Sequence, residues 1–245
     1  MKDAIRTILF FIGYLFYRNR DSKIIYYHDI SSDTFYTDMS TDLNIFRNHI
    51  KIIRKCGFEI VQQITAKKNQ IAIMFDDGFR GIWDNRDYFV DNKIYPTVFI
   101  AKSLIGKEGY LNEDEIRELF KLGFDFQSHT VSHVKLTDCV SSEQLNSELL
   151  ESKLYIDELL QQHTTAICAP NGYYSNIVCE DAYRVGYDKF YSSIPGSYYE
   201  RITDFSFVVT RNLVQSLSLL QFRLVILGGY KPFQKTYLKR RYKLL

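Results

Sequence analysis

Two short segments of this 245-residue chain carry side chains whose types and spacing suit one kind of chemistry. The first, Phe75-Asp76-Asp77-Gly78, sets two carboxylates side by side after a continuous apolar run, Ile71 to Phe75. Asp before Gly is ordinary turn sequence, in which the carboxylate accepts backbone N–H bonds. After a buried strand, however, adjacent carboxylates repel unless a cation or a proton shares the site. The second, Ser128-His129-Thr130-Val131-Ser132-His133, holds two imidazoles four residues apart, so that a helix or a tight loop can bring both to one metal ion. Two histidines and one carboxylate form a facial triad with open coordination positions. A cation held in that way polarises a carbonyl and acidifies water, which is the chemistry of hydrolysis.

Such groups need a scaffold that brings distant segments together. Strand-like and helix-like runs alternate along the chain. Lys23–His28, Phe58–Val61, Ile71–Phe75, Thr97–Ala101, Phe124–Ser128, Thr165–Ala169, Phe190–Ile194 and Phe207–Arg211 read as strands. Between them, Leu43, Phe46, Ile50 and Ile53 recur at helical spacing, with Ser40/Thr41 as the expected cap and Gly57 as the stop. Asn112 and Glu115 open a helix that runs through Phe120 to Gly123. Longer helices are expected over Ser142 to about Gln162, Ser175 to Gly186 and Leu217 to Leu227. Repeated βα units favour a parallel sheet with helices outside, closed or nearly closed as a barrel. Catalytic groups on such folds sit at the C-terminal strand ends. Those ends are Tyr27-His28, Asp76-Asp77, His129 to His133, Ala169-Pro170-Asn171-Gly172 and Arg211.

The Phe-Asp-Asp-Gly and Ser-His-Thr-Val-Ser-His segments, about 50 residues apart, resemble the first two motifs of the polysaccharide deacetylase family, the NodB-homology domain. The likeness runs from about Lys23 to Arg211. It implies an α/β fold, a distorted (β/α) barrel with about seven repeats. It further implies that Asp77, His129 and His133 hold a divalent metal, zinc first with Co2+, Ni2+ or Fe2+ as alternatives, and that Asp76 is the general base. The substrate implied is an N-acetylated glycan or polysaccharide. The family's third motif, Arg-x-Pro-Tyr, is altered here to Cys168-Ala169-Pro170-Asn171. The backbone N–H of Asn171 can still serve as oxyanion donor, since a side-chain change leaves it in place. The motif's Arg, which holds the catalytic Asp, is replaced by Cys168, and Arg211 is the candidate to supply that charge. No His follows His163, where the family places a general acid, so His28 is the candidate acid. Removal of an O-acetyl group, or a degenerate glycan-binding or scaffolding subunit, are the competing readings.

Composition excludes other classes. Hydrophobic residues make up 46% of the chain, enough for a large core and against disorder. The net charge of +2 argues against a nucleic-acid partner. Tyr and Phe number 19 and 18, an abundance expected mainly in packing, with some rings available to stack on sugars. The four cysteines show no CxxC pairing and read as reduced thiols. Three segments are expected: an apolar, interfacial N-terminal helix at 1–22, a catalytic domain at 23–230 and a basic tail at 231–245. Ile8 to Tyr17, as a helix about 15 Å long, is too short for a hydrocarbon core of about 30 Å. No small-residue cleavage site follows it. The tail has six basic residues and no acid. Together they suggest a peripheral protein on an anionic membrane surface, at the cytoplasmic face.

Overall fold

The computed structural model describes residues 2–242. The chain opens with α1 (Lys2–Tyr17), β1 (Lys23–Tyr27), β2 (Asp29–Ser31), β3 (Ser40–Asp42), α2 (Leu43–Lys55) and β4 (Glu59–Ile60). It continues through β5 (Gln70–Phe75), α3 (Gly81–Asp84), α4 (Arg86–Asp91), β6 (Thr97–Ile100), α5 (Glu113–Lys121), β7 (Asp125–Ser128) and α6 (Ser142–Leu160). The last part holds β8 (Ala166–Cys168), α7 (Asn176–Val185), β9 (Lys189–Tyr191), β10 (Val208–Val209), β11 (Asn212–Leu213), α8 (Leu219–Leu224) and α9 (Lys231–Arg241).

The main sheet is parallel throughout, in the order β10-β9-β8-β7-β6-β5-β1-β11, with β4 also paired to β5. Its two outermost members, β10 and β11, are separated in the chain only by Thr210 and Arg211. One extended segment therefore pairs with β9 through its first half and with β1 through its second, and the sheet curls round to meet itself there. This is the distorted (β/α) barrel expected of the sequence. The segment expected as one strand, Phe207–Arg211, is this split strand. Its break at Thr210-Arg211 lets one chain serve two neighbours that are too far apart to share continuous pairing. The register brings the strand ends level: Tyr27 lies opposite Phe75, and Ile100 opposite Ser128. His28, Asp76 and His129 thus leave the sheet at one height.

The amphipathic pattern of α2 is realised, with Leu43, Phe46, Ile50 and Ile53 all buried. Burial of such side chains contributes about 1.5–3 kcal/mol each. The cap differs from the expected Ser40/Thr41. Asp42 caps α2, accepting the N–H groups of Asn44 and Ile45, because Ser40 and Thr41 pair with Asp29 and Ile30 in the small β2–β3 sheet. The Asn112/Glu115 capping box of α5 is present as expected. The helix expected over Leu217–Leu227 is shorter. After α8, residues Val225–Gly229 form a widened turn in which Gly228 has φ +102°.

That turn receives α1. A Cβ at Gly13 would lie 2.5 Å from the carbonyl oxygen of Gly229, so only glycine allows the two backbones to touch. Phe10 packs on Phe233 of α9 with ring centroids 4.8 Å apart, and Asn19 N–H donates to Leu227 O at 3.1 Å. The basic stretch expected as a tail is therefore helical from Lys231 to Arg241 and held by its aromatic residues; its last three residues, 243–245, lie outside the described ones.

Candidate active site

Asp76 continues directly from β5, its N–H bonded to Tyr27 O. Asp77 and Gly78 then take left-handed backbones, with φ +71° and +76°. After β7, His129 N–H bonds to Ile100 O, and a tight loop follows in which Thr130 and His133 are also left-handed. Thr130 Oγ1 accepts the N–H of His133 and fixes the loop's shape. These turns place Asp77 Oδ1 3.1 Å from His129 Nε2 and 2.9 Å from His133 Nε2. Asp77 and His129 are buried, and His133 is 31% exposed.

The donor set fits a cation. His129 Nδ1 lies 2.8 Å from Cys168 O, and a carbonyl only accepts, so Nδ1 carries the proton of the neutral ring. The lone pair of Nε2 then faces a carboxylate oxygen, which is itself buried without a hydrogen bond of acceptable geometry. Acceptors at 3 Å repel unless positive charge lies between them. With no cation between them, only protonated imidazoles could face that oxygen, and in that state, though burial would raise the Asp77 carboxyl, they hold it far below the usual carboxylate range. Burial would lower His133, and the Asp77 carboxylate overrides it and raises the ring. Asp76, His129 and Cys168 form a second cluster of donor atoms. It suits a cation poorly, because burial pushes the Cys168 thiol well up and Asp76 is already engaged.

Asp76 is engaged by Arg211. Nη1 donates to Oδ1 at 2.7 Å and Nη2 to Oδ2 at 2.8 Å, a bidentate pair with both partners buried. The guanidinium lies 4.1 Å from the Tyr26 ring centroid, and its Nε donates to Ser192 O. Cys168 Sγ sits 2.8 Å from Nη2, where an Arg would have stood in the altered motif. The guanidinium thus reaches the same carboxylate from the split strand. Burial would raise the Asp76 carboxyl, but Arg211 holds it below the usual range and keeps it ionised.

His28, half-buried, leaves β1 beside these groups. Its Nδ1 lies 2.6 Å from Gln215 Oε1, which as a carbonyl oxygen fixes the proton on Nδ1 and leaves Nε2 as the acceptor. His28 directly follows β1, whose last residue, Tyr27, lies opposite Phe75, so His28 and Asp76 leave neighbouring strands at the same level. Asn171 follows β8 in a turn with φ +58° and an exposed side chain. Phe79 and Tyr110 stack at 4.6 Å beside Asp77, whose charge bears on the Tyr110 phenol. Two other histidines stay apart: His49 is buried against Phe222 and lowered by burial to about 4, and His163 is on the surface.

Sequence reasoning missed two residues. Gln215 sets the His28 tautomer. Glu148, buried on α6, accepts the N–H groups of Val131 and Ser132, both at 2.9 Å, and the Ser132 hydroxyl at 2.5 Å. It clamps the loop between the two histidines. Its signal was an acid on the apolar face of α6, in line with Leu145, Leu149 and Ile156.

Comparison with known proteins supports the same reading. The family model for polysaccharide deacetylase matches residues 63–190, just over half of the chain. The chain is 28% identical over 188 residues to YxkH of Bacillus subtilis (strain 168), whose name assigns it to the polysaccharide deacetylases. That match covers 71% of this chain and 65% of the relative, so the chain spans about two thirds of the relative's length. The Streptococcus pyogenes deacetylase PplD superposes with a TM-score of 0.72 at 20% identity, over 85% of this chain and 99% of that one. IcaB from Ammonifex degensii gives 0.74 at 17% identity, over 85% and 98%. At these identities the structural matches establish a shared fold. The family match spans Asp76, Asp77, His129 and His133, the four residues that converge in space, and the chain belongs to the polysaccharide deacetylase family.

Proposed function

We propose that this protein is a metal-dependent hydrolase that removes the acetyl group from an N-acetylated sugar of a polysaccharide or glycan precursor. The observation that carries the proposal is the convergence of the Asp77 carboxylate with the His129 and His133 imidazoles beside an ionised, pinned Asp76. Two nitrogens and one oxygen with room for a further ligand suit zinc. When bound, such a cation supplies Lewis acidity to the acyl carbonyl and to the attacking water. Asp76 takes the water's proton, and Arg211 orients it. His28, with Nδ1 tied to Gln215, takes a proton from solvent on Nε2 and delivers it to the departing amine, while the proton on Asp76 returns to solvent as acetate leaves. The Asn171 N–H is the second donor to the developing oxyanion. The stacked Phe79–Tyr110 pair offers an apolar wall for a sugar face.

Metal analysis paired with acetate release from a panel of N-acetylated glycans and O-acetyl esters tests this. The purified protein should hold one divalent metal per chain and release acetate from an amide substrate. The His129→Ala/His133→Ala double variant should hold none, and stoichiometric metal in it would overturn the ligand assignment. Asp76→Asn should keep the metal and lose about 10²–10⁴-fold in turnover. Release from esters alone would turn the reading to O-deacetylation.

A further inference from the structure

Helix α1 has two opposed faces. Arg6, Phe10, Gly13 and Tyr14 turn toward the barrel, where Arg6 bonds Gln221 and Gly13 meets Gly229. Ile5, Ile8, Leu9, Ile12, Leu15 and Phe16 turn outward and are each more than a third exposed, Phe16 by 76%. No charged residue lies between Arg6 and Arg18. The outward face of a helix in water is normally polar, and a contiguous apolar face of this kind marks a contact surface.

Just past the C-terminal end of α1, beginning at Arg18, lies an open recess of about 440 Å³ between the chain leaving α1 and the ends of α2 and α8. Arg18, Arg20, Lys55 and Arg223 line it together with Asn19, Cys56 and Leu227, and no carboxylate does. Four cations round one hollow repel one another and attract an anion. No described helix is long and apolar enough to cross a membrane.

From this apolar face and its cationic end we infer a docking surface for an anionic phospholipid bilayer. The outward face of α1 lies at the acyl-chain boundary, and the Arg18–Arg20–Lys55–Arg223 recess takes a lipid phosphate. Charge complementarity chooses the occupant: an apolar layer bordered by phosphate matches a hydrophobic stripe next to a recess whose described lining holds four cations and no carboxylate.

Vesicle sedimentation tests the inference by binding alone, independently of deacetylation. The protein should pellet with phosphatidylcholine–phosphatidylglycerol vesicles and far less with phosphatidylcholine alone, and added salt should weaken the difference. Leu15→Glu/Phe16→Glu, at exposed positions that leave the core intact, should abolish pelleting with both. Arg20→Glu/Arg223→Glu should lower anionic binding by at least about fivefold per residue and spare the weak neutral binding. Thermal melts of each variant check that it is folded. Equal binding to both vesicles, or none by the folded parent, would overturn the inference. So would a parent dimer that Leu15→Glu/Phe16→Glu splits without any vesicle binding, since the face would then join two copies.

Discussion

Asp76 and Asp77 are neighbours in the chain and have opposite surroundings in space. Asp76 faces a guanidinium that satisfies both of its oxygens, whereas Asp77 faces two imidazole nitrogens. The first carboxylate has its counter-charge in the protein itself, and in the proposed mechanism the second takes a metal cation. In the proposed mechanism Arg211 is therefore a positioning residue, its two parallel bonds fixing the plane of the Asp76 carboxylate. Lysine keeps the charge but loses the fork. Arg211→Lys should retain the metal and lower kcat by about 10–10²-fold, because a base misplaced by an ångström costs about that much. A parent-like kcat in a folded, metal-loaded variant would show that the fork is dispensable. At this scale the sequence was readable wherever residues came in patterned pairs. Arg211 was reachable only from its position at a strand end. Gln215 was invisible, since a lone amide in a loop has no spacing to read.

At the scale of elements, the loop from His129 to His133 depends on a helix that contributes no ligand. Without Glu148, two backbone N–H groups lose a charged acceptor, and left-handed Thr130 and His133 are freed from their frame. Glu148→Ala should weaken metal affinity by about 10–100-fold, whereas Glu148→Gln, which still offers a carbonyl oxygen, should restore most of it. Metal competition titration reads this directly, and equal affinities in all three proteins would remove Glu148 from the site. A second element carries a different burden. Lys23 opens β1 fully buried, donating to Asp21 O, and burial lowers it to about 7. An unfolded lysine titrates near 10.5, so between these values the unfolded chain binds more protons and stability rises with pH. The penalty is full below about pH 7 and is relieved above it. Lys23→Met lacks this dependence. Its Tm relative to the parent should therefore fall as pH rises from about 6 to 9, and a constant difference would refute the shift. Helices were legible from their apolar spacing, as in α2. Their ends were less so, because pairing between Ser40–Asp42 and Asp29–Ser31 moved a cap, and α8 stops at Leu224 ahead of the widened turn with left-handed Gly228.

Across the whole molecule, the parallel barrel followed from the repeated βα rhythm. Its closure did not, because a strand divided between two neighbours looks in sequence like any single strand. Nor did the docking of α1, which needs Gly13 and Gly229, far apart in the chain, to meet. Helix α1 runs from the catalytic rim, where Arg6 bonds Ser216 O, to Asn19 and the start of β1. If it lies flat on a bilayer, the rim that Arg6 borders through Ser216 lies close to the lipid, within reach of glycans held there. The seam at Thr210-Arg211 has a consequence in time as well as in space. A ribosome makes Asp77, His129 and His133 well before it makes Arg211. A nascent chain therefore owns its complete set of ligand side chains while the counter-charge of its base is still untranslated. The last strand to be synthesised both shuts the barrel and orients Asp76, so on the proposed mechanism an unfinished chain could gather a cation before it had a positioned base to use it.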